Sequence, residues 1–103
     1  MRIPRNRPPT PPGEVLREDF LKPLGLTQEH LAEEVGVSFQ RINGIINGKR
    51  ALTAETAVLL AGRFKTSAGF WMNFQTRYDL YQAREKLLHR SAIARKYAAL
   101  VTH

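Results

Sequence analysis

The sequence has no cysteine and no long apolar segment. The absence of cysteine among 103 residues excludes disulfide bonds and thiolate metal ligands, and it is consistent with a reducing cytoplasm. No apolar run approaches the roughly 20 residues that a membrane-spanning helix needs, and the first residues do not begin the apolar region of a signal peptide. We therefore expect a cytoplasmic protein that has no membrane partner.

Acidic residues are also scarce. Nine Asp and Glu side chains are present against sixteen Lys and Arg, which gives a formal net charge of +7. Such an excess of positive charge favours a polyanionic partner such as nucleic acid. The excess lies mainly near the ends of the chain, because residues 27–64 hold four acids and four bases. Within that central segment most of the acids precede the bases, so its charge is polarised.

Proline is concentrated at the start of the chain, and this divides the sequence into three parts. Residues 1–12 contain five of the six prolines together with three arginines, a composition typical of an extended arm. Residues 13–81 show the spacing of one small helical domain. Residues 82–103 form a basic tail, which we expect to be helical to about Leu88 and again after Ser91.

Three hydroxyl residues divide the central segment into helices. Each of them precedes an apolar run with helical spacing and can accept the unpaired backbone N–H groups of a first turn: Thr27, Ser38 and Thr53. Gly36 ends the first of these helices by supplying left-handed backbone. Two helices joined by so short a turn, with small Ala32 where they cross, are typical of a helix-turn-helix motif.

The second helix of this motif is predicted to read DNA. If Ile42, Ile45 and Ile46 point inward, the polar side chains of the helix lie outside. Gln and Asn amides pair with adenine edges, Arg suits guanine or phosphate, and an aromatic ring can contact a thymine methyl group. The predicted base-reading residues are Phe39, Gln40, Arg41 and Asn43.

Phosphate contacts are predicted on both flanks of that helix. The N-terminus of the preceding helix offers free N–H groups and the positive end of a dipole, and the turn after the reading helix carries two bases. The predicted phosphate contacts are Gln28, Ser38, Asn47, Lys49 and Arg50. Such contacts would position the protein without specifying the DNA sequence.

Aromatic residues recur at helical spacing after Ser67. A domain of five short helices cannot enclose so many large rings, so some of them should be available to a second chain. The predicted dimer interface consists of Phe70, Trp71, Phe74, Tyr78 and Tyr81.

Three segments together resemble the HigA family of antitoxins, a VapI-like branch of the phage-repressor class. They are PGEVL, NGKRALTAETA and FWMNFQTRYDL, and the resemblance covers about residues 7–81. It implies an all-α fold, in which a five-helix phage-repressor-like helix-turn-helix domain lies between an extended N-terminal arm and a helical C-terminal tail.

The resemblance also implies a function. Proteins of this family bind, as homodimers, the operator of their own operon, and they neutralise a small basic toxin of the RelE-like or HigB-like type that cleaves messenger RNA. The DNA-facing positions of the family match Gln28, Ser38, Gln40, Arg41, Asn43 and Lys49 of this sequence.

Three other interpretations stay open at this point. A stand-alone helix-turn-helix regulator would read DNA in the same way without a toxin. A protein-interaction module that has lost DNA binding would account for Gly44 inside the reading helix. A metal-dependent enzyme would need an ion at His30, Glu33 and Glu34, but a solvated helix face explains their spacing more simply. We therefore expect no enzyme, no metal and no cofactor.

Overall fold

Six helices make up the regular structure of the described residues. The computed structural model describes residues 8–101. The first helix, α1, spans residues 12–24, and its π-helical stretch Leu16–Leu21 lies between the α-helical turns Pro12–Val15 and Lys22–Leu24. The other helices are α2 (Gln28–Val35), α3 (Phe39–Ile46), α4 (Ala54–Phe64), α5 (Ala68–Leu88) and α6 (Ala92–Ala99). The predicted all-α fold is confirmed.

The predicted N-terminal arm falls largely outside this description. Residues 1–7 lie outside the described residues, residues 8–11 are not helical, and Pro12 already belongs to α1. At its other end α1 continues past the predicted stop near Lys22, because Pro23 follows directly on the wider π-helical turn. Gly25, with φ of 62°, then ends the helix.

Hydroxyl side chains begin the helices as the sequence predicts. The Oγ atoms of Thr27, Ser38 and Thr53 accept the backbone N–H three residues onward at 3.0, 3.1 and 3.3 Å. Ser67 and Ser91 do the same for α5 and α6, at 3.0 and 3.1 Å. Each bond pairs a donor that the first turn of a helix leaves free, which stabilises the helix start by about 1 kcal/mol.

The core lies between α1, the α2–α3 pair, α4 and the first half of α5. Helix α2 packs on α3, α4 packs on α5, and α1 contacts both α3 and α5. The predicted inward positions of Ala32 and of the three isoleucines of α3 are confirmed. The buried apolar residues of this core are Val15, Leu16, Leu21, Leu31, Ala32, Ile42, Ile45, Ile46, Leu52, Ala57, Leu60, Ala61 and Trp71.

Trp71 belongs to this core, which corrects its predicted place in the dimer interface. Its side chain has no exposed surface within the single chain, and its Nε1 donates to Thr66 Oγ1 at 2.8 Å. The indole packs against Phe20 of α1, with ring centroids 5.0 Å apart, and against the edge-on ring of Phe70 at 5.2 Å. The other four predicted interface residues, Phe70, Phe74, Tyr78 and Tyr81, are only half-buried.

The tail folds back on α5 as a separate short helix. Ala98 of α6 is buried, and its carbonyl oxygen accepts from Arg84 Nε of α5 at 3.2 Å. The helix break after Leu88 and the new start at Ser91 are as predicted. The tail is therefore a two-helix extension of the domain.

Gly13 allows α1 to touch the backbone of α3. A Cβ atom at this position would overlap the carbonyl oxygen of Ile45 and come within 2.8 Å of the Cα atom of Ile46. The distance between α1 and the reading helix therefore depends on the absence of a side chain here.

Replacing Gly13 by Ala should lower the free energy of unfolding by roughly 1–3 kcal/mol, because two backbones have to separate. Gly62 of α4 is the matched control, since a Cβ added there meets nothing within 4 Å. Gly62→Ala should raise the free energy of unfolding by about 0.5–1 kcal/mol through its better helix propensity. Urea unfolding at one fixed protein concentration measures both changes. Equal stability of the two variants would contradict the close contact.

Candidate nucleic-acid interface

The outer face of α3 carries the predicted base-reading residues. Its inner face is fixed by the buried isoleucines, and Gly36, with φ of 76°, makes the turn that brings α3 across α2. On the outer face Phe39 is 40% exposed, Gln40 is exposed and Asn43 is half-buried. The structure therefore brings these three predicted residues onto one accessible helix surface.

Three side-chain amides on this surface are joined by hydrogen bonds. Asn43 Nδ2 donates to Gln28 Oε1 at 3.0 Å, and Asn47 Nδ2 donates to Asn43 Oδ1 at 3.1 Å. The first bond links the start of α2 to the middle of α3, and so connects a predicted phosphate contact with a predicted base reader. We call Gln28, Asn43 and Asn47 the amide chain. Asn43 is thus held from both sides before DNA arrives.

Arg41 lies at the flank of the outer face. Its Nη1 is 3.7 Å from Glu55 Oε1 at the start of α4, and both side chains remain accessible. An exposed pair at this distance contributes little to stability and is easily exchanged for another partner. Arg41 is therefore available to a guanine or a phosphate group once it leaves Glu55.

The turn after α3 presents the predicted phosphate-binding bases. The Gly44 carbonyl oxygen accepts the backbone N–H groups of Lys49 at 2.8 Å and Arg50 at 3.0 Å, and Gly48 supplies a positive φ of 73°. The alkyl part of Arg50 lies over Gly44, because an added Cβ there would be 2.9 Å from its Cγ and Cδ atoms. Gly44 thus makes room for Arg50 beside the reading helix, which is a structural reason for this glycine other than loss of DNA binding.

Charge is segregated around the helix-turn-helix motif. Glu29 and Glu33 are exposed on α2, whereas α3 carries no acidic residue and is followed by Lys49 and Arg50. The third acid of α2, Glu34, accepts from Arg63 Nε of α4 at 2.6 Å. A polyanion is therefore favoured on the α3 side of the motif.

The predicted alternative of a metal centre finds no support in the geometry. His30 Nε2 lies 3.6 Å from Glu34, but that carboxylate is already paired with Arg63. Over residues 8–101 no group of three or more His, Cys, Asp or Glu side chains is arranged to hold a metal ion. Within the same range no helix has both the length and the apolar character needed to cross a membrane.

One buried residue near the site has no precedent in the sequence prediction. Gln75 of α5 accepts the backbone N–H of Leu52 at 2.7 Å and donates to Asp79 at 2.8 Å. The bond fastens the segment that follows the reading helix to α5. The available sequence signal was a polar residue four positions after Trp71, on the inward side of an otherwise apolar helix face.

The fold and this surface define a helix-turn-helix DNA-binding protein. An exposed helix that presents amides is held by a second helix across a glycine turn and is flanked by bases, which is the arrangement that such proteins place in the major groove. The family model described as "Helix-turn-helix" matches residues 18–71.

Within this class the chain belongs to the HigA family of antitoxins. Virulence-associated protein I of Dichelobacter nodosus is 47% identical over 74 residues, which cover 72% of this chain and 68% of that protein. Antitoxin HigA-1 of Vibrio cholerae is 39% identical over 80 residues, covering 78% of this chain and 75% of its own length. The solved structure of Pseudomonas aeruginosa antitoxin HigA with the higBA promoter has a TM-score of 0.72 at 38% identity and covers 79% of this chain and 91% of that chain. The family consists of DNA-binding regulators and not of enzymes.

Replacing Gln40 by Ala should weaken binding to the operator by about 1–3 kcal/mol and leave binding to a scrambled duplex nearly unchanged, because a lost base contact affects only the correct sequence. Lys49→Ala should instead weaken both and reduce the slope of log affinity against log salt by about 0.9. Gln82→Ala, at an exposed position of α5, is the control. Fluorescence anisotropy with both duplexes measures all three variants. Equal weakening of the two duplexes by Gln40→Ala would contradict base reading.

Proposed function

We propose that this chain represses its own operon as a homodimer and neutralises an mRNA-cleaving toxin of the RelE or HigB type. The observation that carries the proposal is the outer face of α3, where Gln40 and the amide chain are accessible beside Lys49 and Arg50. The promoter complex of the similar Pseudomonas aeruginosa HigA supports an operator as the partner. A protein that reads such an operator acts where the DNA is, so we also propose a cytoplasmic location.

Two copies are needed because one reading helix covers only one major groove. Helix-turn-helix dimers place their reading helices in successive grooves about 34 Å apart, which matches the two-fold symmetry of operators. The proposed dimer interface is the half-buried stripe of α5 formed by Phe70, Phe74, Tyr78 and Tyr81. Phe70 and Phe74 stack edge-on at 5.2 Å, and Phe70 rests on buried Trp71. These rings are therefore held rigidly by the core, which lowers the entropy cost of binding a second chain.

Tyr78→Glu should convert the dimer to a monomer, because a carboxylate in an apolar contact loses its hydration without gaining a partner. Leu80→Glu is the matched control, since Leu80 lies on a different face of the same helix and is already 53% exposed. Sedimentation equilibrium over a range of concentrations measures the mass of each variant, and helicity shows that each is folded. A monomeric wild-type chain, or dissociation by Leu80→Glu alone, would place the interface elsewhere.

The toxin is the second partner in the proposal. Its support is the family to which the chain belongs, whose similar member in Vibrio cholerae is named an antitoxin. A basic toxin would be repelled by the tail, which carries Lys86, Arg90, Arg95 and Lys96. The proposal therefore assigns neutralisation to another surface of the dimer. Toxin and operator would then influence each other's affinity by linkage.

Expression of the small reading frame beside this gene should arrest growth, and co-expression of this chain should restore it. Gln40→Ala is the informative control, because it should lose repression and keep the rescue. Colony counts and a reporter fused to the upstream DNA measure the two effects separately. Absence of a toxic neighbour, with specific operator binding retained, would favour the stand-alone regulator instead.

A further inference from the structure

The amide chain has a direction. Every hydrogen bond in it runs the same way, from the Nδ2 of Asn47 to Asn43 Oδ1 and from Asn43 Nδ2 to Gln28 Oε1. A side-chain amide carries N–H donors on one atom and an acceptor on the other. If one member of the chain turned by 180°, its bonds would become donor against donor or acceptor against acceptor. The three amides can therefore reverse together, but not singly.

The direction matters because Asn43 still has hydrogen-bonding capacity left for a base. Of its two N–H groups and two lone pairs, the chain uses one of each. Bidentate recognition of adenine needs a donor opposite N7 and an acceptor opposite the N6 amino group. Turning the Asn43 amide over exchanges the two and sets acceptor against acceptor. An asparagine held at one end only could adapt to either order.

We infer that Asn47 determines which base pair Asn43 selects, by fixing the orientation of the Asn43 amide through the chain. Asn47 is thus a positioning residue for specificity in addition to its predicted place among the phosphate contacts. It lies at the C-terminal end of α3, one helical turn beyond Asn43, and it acts without touching the selected base. The inference rests on the proposed function, in which Asn43 reads a base.

Two variants of equal charge separate direction from electrostatics. A carboxylate only accepts, so Gln28→Glu still receives Asn43 Nδ2 and keeps the direction of the chain. Asn47→Asp cannot donate to Asn43 Oδ1, and it reverses the chain, because Asn43 Nδ2 must then turn toward position 47 and Gln28 Nε2 toward Asn43 Oδ1. Each variant adds one negative charge near the DNA, so both should bind more weakly overall.

The experiment uses the full-length dimer and the DNA upstream of its own gene. Each base pair of the duplex is replaced in turn by the other three, and anisotropy at one salt concentration gives the affinity for every duplex. The base pair at which Asn43→Ala loses discrimination is the one that Asn43 reads. At that pair Gln28→Glu should keep the wild-type preference. Asn47→Asp should lower the preference by about tenfold to a hundredfold, the range of one bidentate contact.

Asn47→Ala provides a neutral variant. It removes the donor to Asn43 Oδ1 without adding charge, so discrimination at the same base pair should fall while the other base pairs keep theirs. Position 47 is exposed, so these variants should fold, and helicity with thermal unfolding verifies this.

The outcomes distinguish the inference from the proposal beneath it. If Asn43→Ala loses discrimination at one base pair, but Asn47→Asp keeps the same preference there as Gln28→Glu, the inference is overturned and base reading by Asn43 stands. If Asn43→Ala loses discrimination nowhere, base reading by Asn43 fails, and the role of Asn47 fails with it. If the wild-type chain prefers no duplex over another, operator recognition itself is wrong.

Discussion

The burial of three isoleucines decides which way the reading helix faces. Ile42, Ile45 and Ile46 occupy one side of α3, and with 3.6 residues per turn the opposite side must present Gln40, Asn43 and their neighbours. The contact of Gly13 with the α3 backbone sets how deeply that buried side lies. The recognition surface is therefore a consequence of core packing, and a change in the core would displace the amides together.

Helix α5 connects the reading motif to the rest of the molecule. Its buried Gln75 holds the segment after α3 through the Leu52 N–H, and its Trp71 closes the core against α1. The half-buried rings of the proposed dimer interface stand on the same helix. The spacing of two reading helices in a dimer would thus be transmitted through one rigid element, which is what a fixed half-site separation on DNA requires.

Local features of this fold could be predicted from the sequence, whereas long-range polar partners could not. The hydroxyl caps and the isoleucine spacing depend on residues within one or two helical turns, so Thr27, Ser38 and Thr53 were placed correctly. The bond from Asn43 to Gln28 depends on the angle at which α2 crosses α3, which no spacing rule supplies. The aromatic stripe shows the same limit, because Trp71 is buried by Phe20 from α1, a residue about fifty positions earlier in the chain.

The central claim is that this surface reads a particular DNA sequence. Fluorescence anisotropy of the wild-type chain with the DNA upstream of its own gene, beside a scrambled duplex and across a salt series, tests that claim most directly. The account predicts tighter binding to the upstream DNA at every salt concentration, with two chains per site. Equal binding to both duplexes that disappears with salt would contradict it, and would show only that a basic chain meets a polyanion.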